Sequence, residues 1–219
     1  MERLICFAGL IIGYFFGCMV AAFFVGTAKK VDIRKKGSGN LGTTNAFRTV
    51  GIGGGIATGI GDMLKVVIVV LLVYFVVVKG LKIEIDRIPL YLYTGFGAIL
   101  GHDFPFYLHF KGGKGVAPSA ALLMMLGDWK MIVIGIVLFF GICFLTRYVS
   151  LASLSMMTAE CILFIVFLLT GLIKVSPGWR PDCIIIMILM TALVCWTHRE
   201  NLKRLAQGKE NKFSFKKKS

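Results

Sequence analysis

Apolar residues run along this chain in long blocks, and the short segments between the blocks hold most of the charge. Four blocks, 4–28, 61–78, 131–146 and 151–173, approach or exceed the roughly 20 residues that a helix needs to cross a bilayer core. A fifth, 183–197, is shorter but has polar residues on both sides. Two more, 90–101 and 116–127, are each about a dozen residues long, roughly 18 Å of helix. They predict either two short spans or the limbs of a re-entrant hairpin. The chain therefore reads as an all-α integral membrane protein, a polytopic bundle of about seven transmembrane helices, two of them short. One domain is expected over 1–219, with polar segments at 35–51, 101–115 and 198–212.

Whether the short pair counts as two spans or as a hairpin, the number of crossings is odd, so the termini are expected on opposite faces. The segments after the first span, around 102–115, around 147 and after 197 carry most of the lysine and arginine, including Lys29, Lys30, Arg34, Arg147, Arg199, Lys203 and lysines 216–218. The opposite set has fewer cations, diluted by Glu84, Asp86, Asp128 and Asp182. The positive-inside rule then puts the N-terminus outside and the C-terminus in the cytoplasm. All three polar segments fall on the cytoplasmic side.

Composition changes the picture in one respect. The net charge is +14, yet 57% of residues are hydrophobic and the mean hydropathy is +0.83. Such a charge suggests nucleic acid first. The apolar blocks are too long for a soluble core, so no nucleic-acid partner is expected. The first block exceeds the apolar core of a signal peptide, which predicts a retained span. The six cysteines all lie in apolar blocks without metal-type spacing. No metal and no cofactor are expected.

The polar segments carry the candidate chemistry. In "HFKGGKGVAPSA" (109–120), Gly112, Gly113 and Gly115 allow close backbone approach, and the helix expected near Val116 adds its positive end. With Lys111 and Lys114 alongside, this describes a phosphate cradle. It is not a nucleotide-type loop, because no Ser or Thr follows Lys114. Lysines that only fix topology are the competing reading. In "SGNLGTTNAFR" (38–48), Ser38, Asn40 and Asn45 offer small hydrogen-bonding groups, and Arg48 can grip a phosphate bidentately. An ordinary turn with a helix cap would look the same. His198 and Asn201 stand one helical turn apart, on one face. His102 opens the middle segment, and neither it nor His198 has the aspartate of a His-x4-Asp relay. Asp62 and Lys65 are expected to form a structural ion pair, and Glu160 to face the bundle interior. Residues alone thus give a membrane site for an anionic, hydroxyl-bearing ligand, with enzyme and transporter both open.

Together the segments resemble the bacterial PlsY family of acyl-phosphate:glycerol 3-phosphate acyltransferases. The family patterns SGNxGAxNxxR, GHxFPxFLxFKGGKGVAT and HxxNxxRLxxGxExK are similar to "SGNLGTTNAFR", "GHDFPFYLHFKGGKGVAP" and "HRENLKRLAQGKENK", in the same order, with "RYVSLASL" (147–154) between the last two. Thr43, Tyr107 and Pro118 depart from the usual residues without removing a functional side chain.

The resemblance implies acyl transfer from a fatty acyl phosphate to the 1-hydroxyl of glycerol 3-phosphate, the first step of phospholipid synthesis. It implies a monomer among membrane lipids in the bacterial plasma membrane, its active site facing the cytoplasm. Arg48, Lys111, Lys114 and the Gly112–Gly115 backbone would hold phosphates. Ser38, His198 and Asn201 would orient the glycerol hydroxyls, Ser150 would add a contact, and Asn40, Asn45 and His102 would complete the substrate site. Glu210 looks structural. The proton acceptor is left open between the donor's phosphate and His198, with a Ser38 acyl-enzyme as a third course. A transporter of an organic phosphate is the rival class, against which stands the lack of a visible inverted repeat.

Overall fold

The computed structural model describes residues 1–126 and 128–213. Position 127, the end of the second short block, and lysines 216–218 of the charge count lie outside the described residues. Helices α1 (Glu2–Gly17), α2 (Ala21–Ala28), α3 (Thr43–Tyr74), α4 (Arg87–Asp103), α5 (Val116–Met125), α6 (Trp129–Thr146), α7 (Val149–Leu169), α8 (Arg180–Thr197) and α9 (Arg199–Ala206) carry the fold. Five stretches are long and apolar enough to cross a membrane: Glu2–Ala28, Thr43–Gly80, Trp129–Thr146, Val149–Leu169 and Pro177–Thr197. The short pair becomes α4, with 17 residues and about 25 Å of length, and α5, with 10 residues and about 15 Å.

Two boundaries differ from the sequence reading, each for a physical reason. The block 4–28 is two helices, broken between Gly17 and Ala21. The ion pair expected in α3 caps both sides of this break. Lys65 Nζ donates to the carbonyls of Gly17 (3.0 Å) and Met19 (3.2 Å), and the Ala21 N–H donates to Asp62 Oδ1 (3.2 Å). The second difference is that α3 starts at Thr43, well before the apolar block 61–78 and inside the polar segment 35–51, and then kinks at Gly51. That residue has φ 83°, a left-handed conformation that glycine adopts without strain.

Packing of α1 on α4 depends on small residues. A side chain at Gly13 would strike the Thr94 carbonyl, and side chains at Gly97 and Gly101 would strike the carbonyls of Leu10 and Tyr14. Glycines on both helices bring the backbones close enough for dispersion to hold them, which matters where lipid tails weaken any hydrophobic drive between helices. Residues rise together along α1 and α4, so the two run parallel. On the far side α6 packs against α7, and the buried Glu160 carboxyl lies against Gly135, 2.6 Å from where a Cβ would stand.

The two ends of the bundle gather different segments. At one end Arg3 reaches Asp182 (3.2 Å), Trp179 donates to Glu2 (3.2 Å) and the Ser176 N–H donates to Asp86 (2.9 Å). At the other, Arg48 Nη2 donates to the Asn211 carbonyl (3.5 Å) and the Phe213 N–H to the Arg147 carbonyl (2.7 Å). The three polar segments all meet at this second end.

Candidate active site

The segment before α3 is folded by Asn45. Its Nδ2 lies within hydrogen-bonding distance of the carbonyls of Ile33 (3.2 Å), Lys36 (3.1 Å) and Asn40 (3.0 Å), and its Oδ1 accepts the Ser38 N–H (2.9 Å). The amide is thus spent on the loop itself, which leaves Ser38 exposed and Asn40 half-buried at the surface. Arg48 lies one turn beyond Asn45, on the same face of α3. Its contact with Asn211 ties this helix to the C-terminal segment.

The glycine loop does something other than expected. It folds back over the end of α4, where the Gly112 N–H donates to the Asp103 carbonyl (3.0 Å) and the Gly113 N–H to the His102 carbonyl (3.0 Å). A side chain at 112 would strike the His102 carbonyl, and one at 113 would strike His102 Nε2. Gly112 and Gly113 are therefore needed to let the loop rest on α4, and their N–H groups are not aimed at a ligand. His102 itself is buried beneath the loop rather than facing the site. What remains for an anion is the first turn of α5, whose early N–H groups lack intrahelical partners. Pro118 costs nothing there, because it has no N–H to leave unmatched.

Lys114 projects from this loop to α9. Its Nζ hydrogen-bonds Asn201 Oδ1, and Asn201 Nδ2 donates to Glu210 Oε1 (2.8 Å). Arg204 Nε holds the other Glu210 oxygen at 2.9 Å, so Glu210 folds the C-terminal segment back on α9. Burial, first, and then the cations Arg204, Arg199 and Arg48 lower the Lys114 pKa to about 8, with Glu210 opposing them. His198, at the junction of α8 and α9, is 4% exposed. Its Nδ1 lies 2.8 Å from the Val194 carbonyl, which can only accept, so Nδ1 carries the proton and Nε2 keeps its lone pair. Burial and then the Lys114 charge push its pKa down to about 4, so the ring is neutral at pH 7.

Lys114, His198 and Asn201 are thus brought together, with Arg48 within electrostatic reach. Ser150 is buried in the first turn of α7, which packs against α9, and its Oγ has no partner among the described residues. Lys111 is exposed and forms no ion pair among the described residues. Arg204 was overlooked in the sequence, although the three-residue step from His198 to Asn201 reaches it next. The link from Lys65 to His102 had no signal, since 37 residues separate them.

The arrangement offers cations for phosphate, a neutral imidazole and short polar groups, all at the end of an apolar bundle. Comparison with known proteins identifies the family. A family model described as glycerol-3-phosphate acyltransferase matches residues 7–208. Glycerol-3-phosphate acyltransferases of Desulforudis audaxviator and Bacillus subtilis are 36% and 35% identical over 211 and 210 residues, covering 95% and 94% of this chain and 96% of each relative. Crystal structures of PlsY (YgiH), an integral membrane glycerol 3-phosphate acyltransferase, superpose with TM-scores of 0.77 for the glycerol 3-phosphate form and 0.76 for the lysophosphatidic acid form. Their identities are 31% and 30%, covering 95% and 96% of this chain and 96% of each of those chains. The chain belongs to the glycerol-3-phosphate acyltransferase family and is an integral membrane acyltransferase.

Proposed function

We propose that this protein transfers a fatty acyl group from acyl phosphate to the 1-hydroxyl of sn-glycerol 3-phosphate, on the cytoplasmic face of a bacterial plasma membrane. The hydroxyl oxygen forms an ester bond to the acyl carbon, the acyl–phosphate bond breaks, and the products are 1-acyl-glycerol 3-phosphate and inorganic phosphate. The observation that carries this reading is the hydrogen-bonded chain from Lys114 through Asn201 and Glu210 to Arg204, with Arg48 and Arg199 within electrostatic reach of Lys114 and His198 beside it. Two phosphate-bearing reactants need that surplus of cations.

Phosphate is a good leaving group, so positioning and charge stabilisation supply most of the acceleration. Lys114, Arg48 and the start of α5 hold phosphate oxygens, Ser38 and Asn201 orient the glycerol hydroxyls, and Ser150 offers its unpartnered hydroxyl. The hydroxyl proton passes to the departing phosphate or to His198 Nε2. An apolar groove of about 260 Å³ between α3 and α5, lined by Ile60, Met63, Leu64, Val67, Ala121 and Met124, suits the donor's acyl chain. Ala121 lies two helical turns below Lys114, a depth that leaves the acyl phosphate head near the cations.

The test is phosphate release by the protein in lipid, given palmitoyl phosphate and glycerol 3-phosphate without coenzyme A or metal. Release that requires both substrates is the expected result. No release, with glycerol 3-phosphate instead crossing proteoliposome membranes, would overturn the reading in favour of transport.

A further inference from the structure

Beneath the glycine loop lies a second polar cluster that the chemistry above does not use. Asp62 and Lys65 on α3 and His102 on α4 are 1%, 5% and 3% exposed. Lys65 Nζ is 2.9 Å from both Asp62 Oδ1 and His102 Nδ1, besides its bonds to the Gly17 and Met19 carbonyls. His102 Nδ1 is also 3.3 Å from Asp62 Oδ1. An ammonium has three protons, and the Gly17 and Met19 carbonyls with Asp62 Oδ1 give it three oxygen acceptors, so none is idle whichever tautomer His102 holds.

Capping the α1–α2 break needs only the aspartate and the lysine. The imidazole is an additional member, and it is the one that touches the loop. Its residue's carbonyl takes the Gly113 N–H at 3.0 Å, and its Nε2 occupies the space a side chain at 113 would need. The ring is fixed at one edge by the ion pair and supports Gly113 at the other. The next residue is Lys114, which reaches Asn201 across the site.

We propose that Asp62, Lys65 and His102 are positioning residues for acyl transfer: a buried strut that sets the height of Gly113 and so places Lys114 against Asn201 and His198. The inference rests on Lys114 acting as a phosphate holder. A shift of about 1 Å in such a group can cost about 100-fold in rate.

The experiment compares the full-length protein in lipid with His102→Ala, Gly113→Ala and the double variant, measuring kcat/KM for both substrates and the melting temperature. Gly113→Ala and His102→Ala should each lower kcat/KM by about tenfold to 100-fold. The double variant should regain about tenfold over Gly113→Ala, because removing the ring makes room for the new methyl, a coupling expected only for groups in contact. The melting temperatures separate this from a general loss of stability: each single variant should lose kcat/KM while its folded fraction at the assay temperature is unchanged. An unchanged His102→Ala enzyme, or a double variant as poor as the product of the two singles, would overturn the strut. If His102→Ala does not fold, His102→Asn and His102→Gln decide. Asn can put its amide where Nδ1 stands and should retain activity above Gln, whereas equal activities would count against the proposal. Wild-type protein that releases no phosphate would instead count against the acyltransfer reading itself.

Discussion

The two ends of the bundle differ in how their charges are satisfied. At the end holding Arg3 and Asp182, three acids are matched within the protein: Asp182 accepts from Arg3 and from Tyr93 OH (2.9 Å), Glu2 from Trp179, and Asp86 from the Ser176 backbone. At the other end Lys114 has three arginines as electrostatic neighbours and one acid, whose oxygens are already held by Asn201 and Arg204. The first arrangement ties helices together. The second keeps cations close at an energetic cost that a bound anion would relieve. Several cations gathered about one shared acid are what set the end with the candidate site apart.

The strongest way to break this contrast is Lys114→Ala. It should lower kcat/KM by about 100-fold to 1,000-fold, the usual loss for one group that stabilises developing charge. The melting temperature should hold or rise, since a cation among cations is removed. A variant with unchanged kinetics would mean that the cationic end is only a topology signal.

A pH profile sharpens the comparison. The Lys114 pKa is lowered to about 8, so its charge is present below that pH and lost above it. Activity that depends on the charge should fall as pH rises through about 8. Arg204 is one cause of the lowering, so Arg204→Gln should move this alkaline limb upward whatever it does to the plateau. An unmoved limb would assign it to another group. His198, held near 4, stays neutral across the working range and able to accept a proton. If it is the base, His198→Gln should abolish the chemical step while substrate binding survives.

The smallest effect is expected at the matched end. The Arg3–Asp182 pair has an Arg3 side chain that is 69% exposed. Arg3→Ala should change stability by no more than about 1 kcal/mol, as for other solvated pairs, and leave kcat/KM unchanged. A large kinetic change would show that the two ends communicate through the bundle.

Parts of the candidate site were legible where they are local. The i, i+3 spacing of His198 and Asn201 needs only a helix, and Lys114 with its glycines needs only a loop before one. The purpose of those glycines was not legible. Gly112 and Gly113 read as ligand-facing, yet their N–H groups and missing side chains serve contact with His102 and Asp103. The role of Asn45 was hidden in the same way, since a buried amide and a ligand-binding amide look alike until the surrounding carbonyls are placed.

The sequence by itself determined an all-helical membrane protein, its apolar blocks and the segments that carry chemistry, because helix periodicity and bilayer thickness act on neighbouring residues. It also carried the α3 ion pair, since two opposite charges one turn apart in an apolar run have few other options. Only the tertiary structure decided that this pair caps the break between α1 and α2, that glycines on α1 and α4 bring those helices into contact, and that His102 lies under the glycine loop. These depend on which backbone comes near which. That choice is made by packing between elements tens of residues apart and leaves no pattern along the chain.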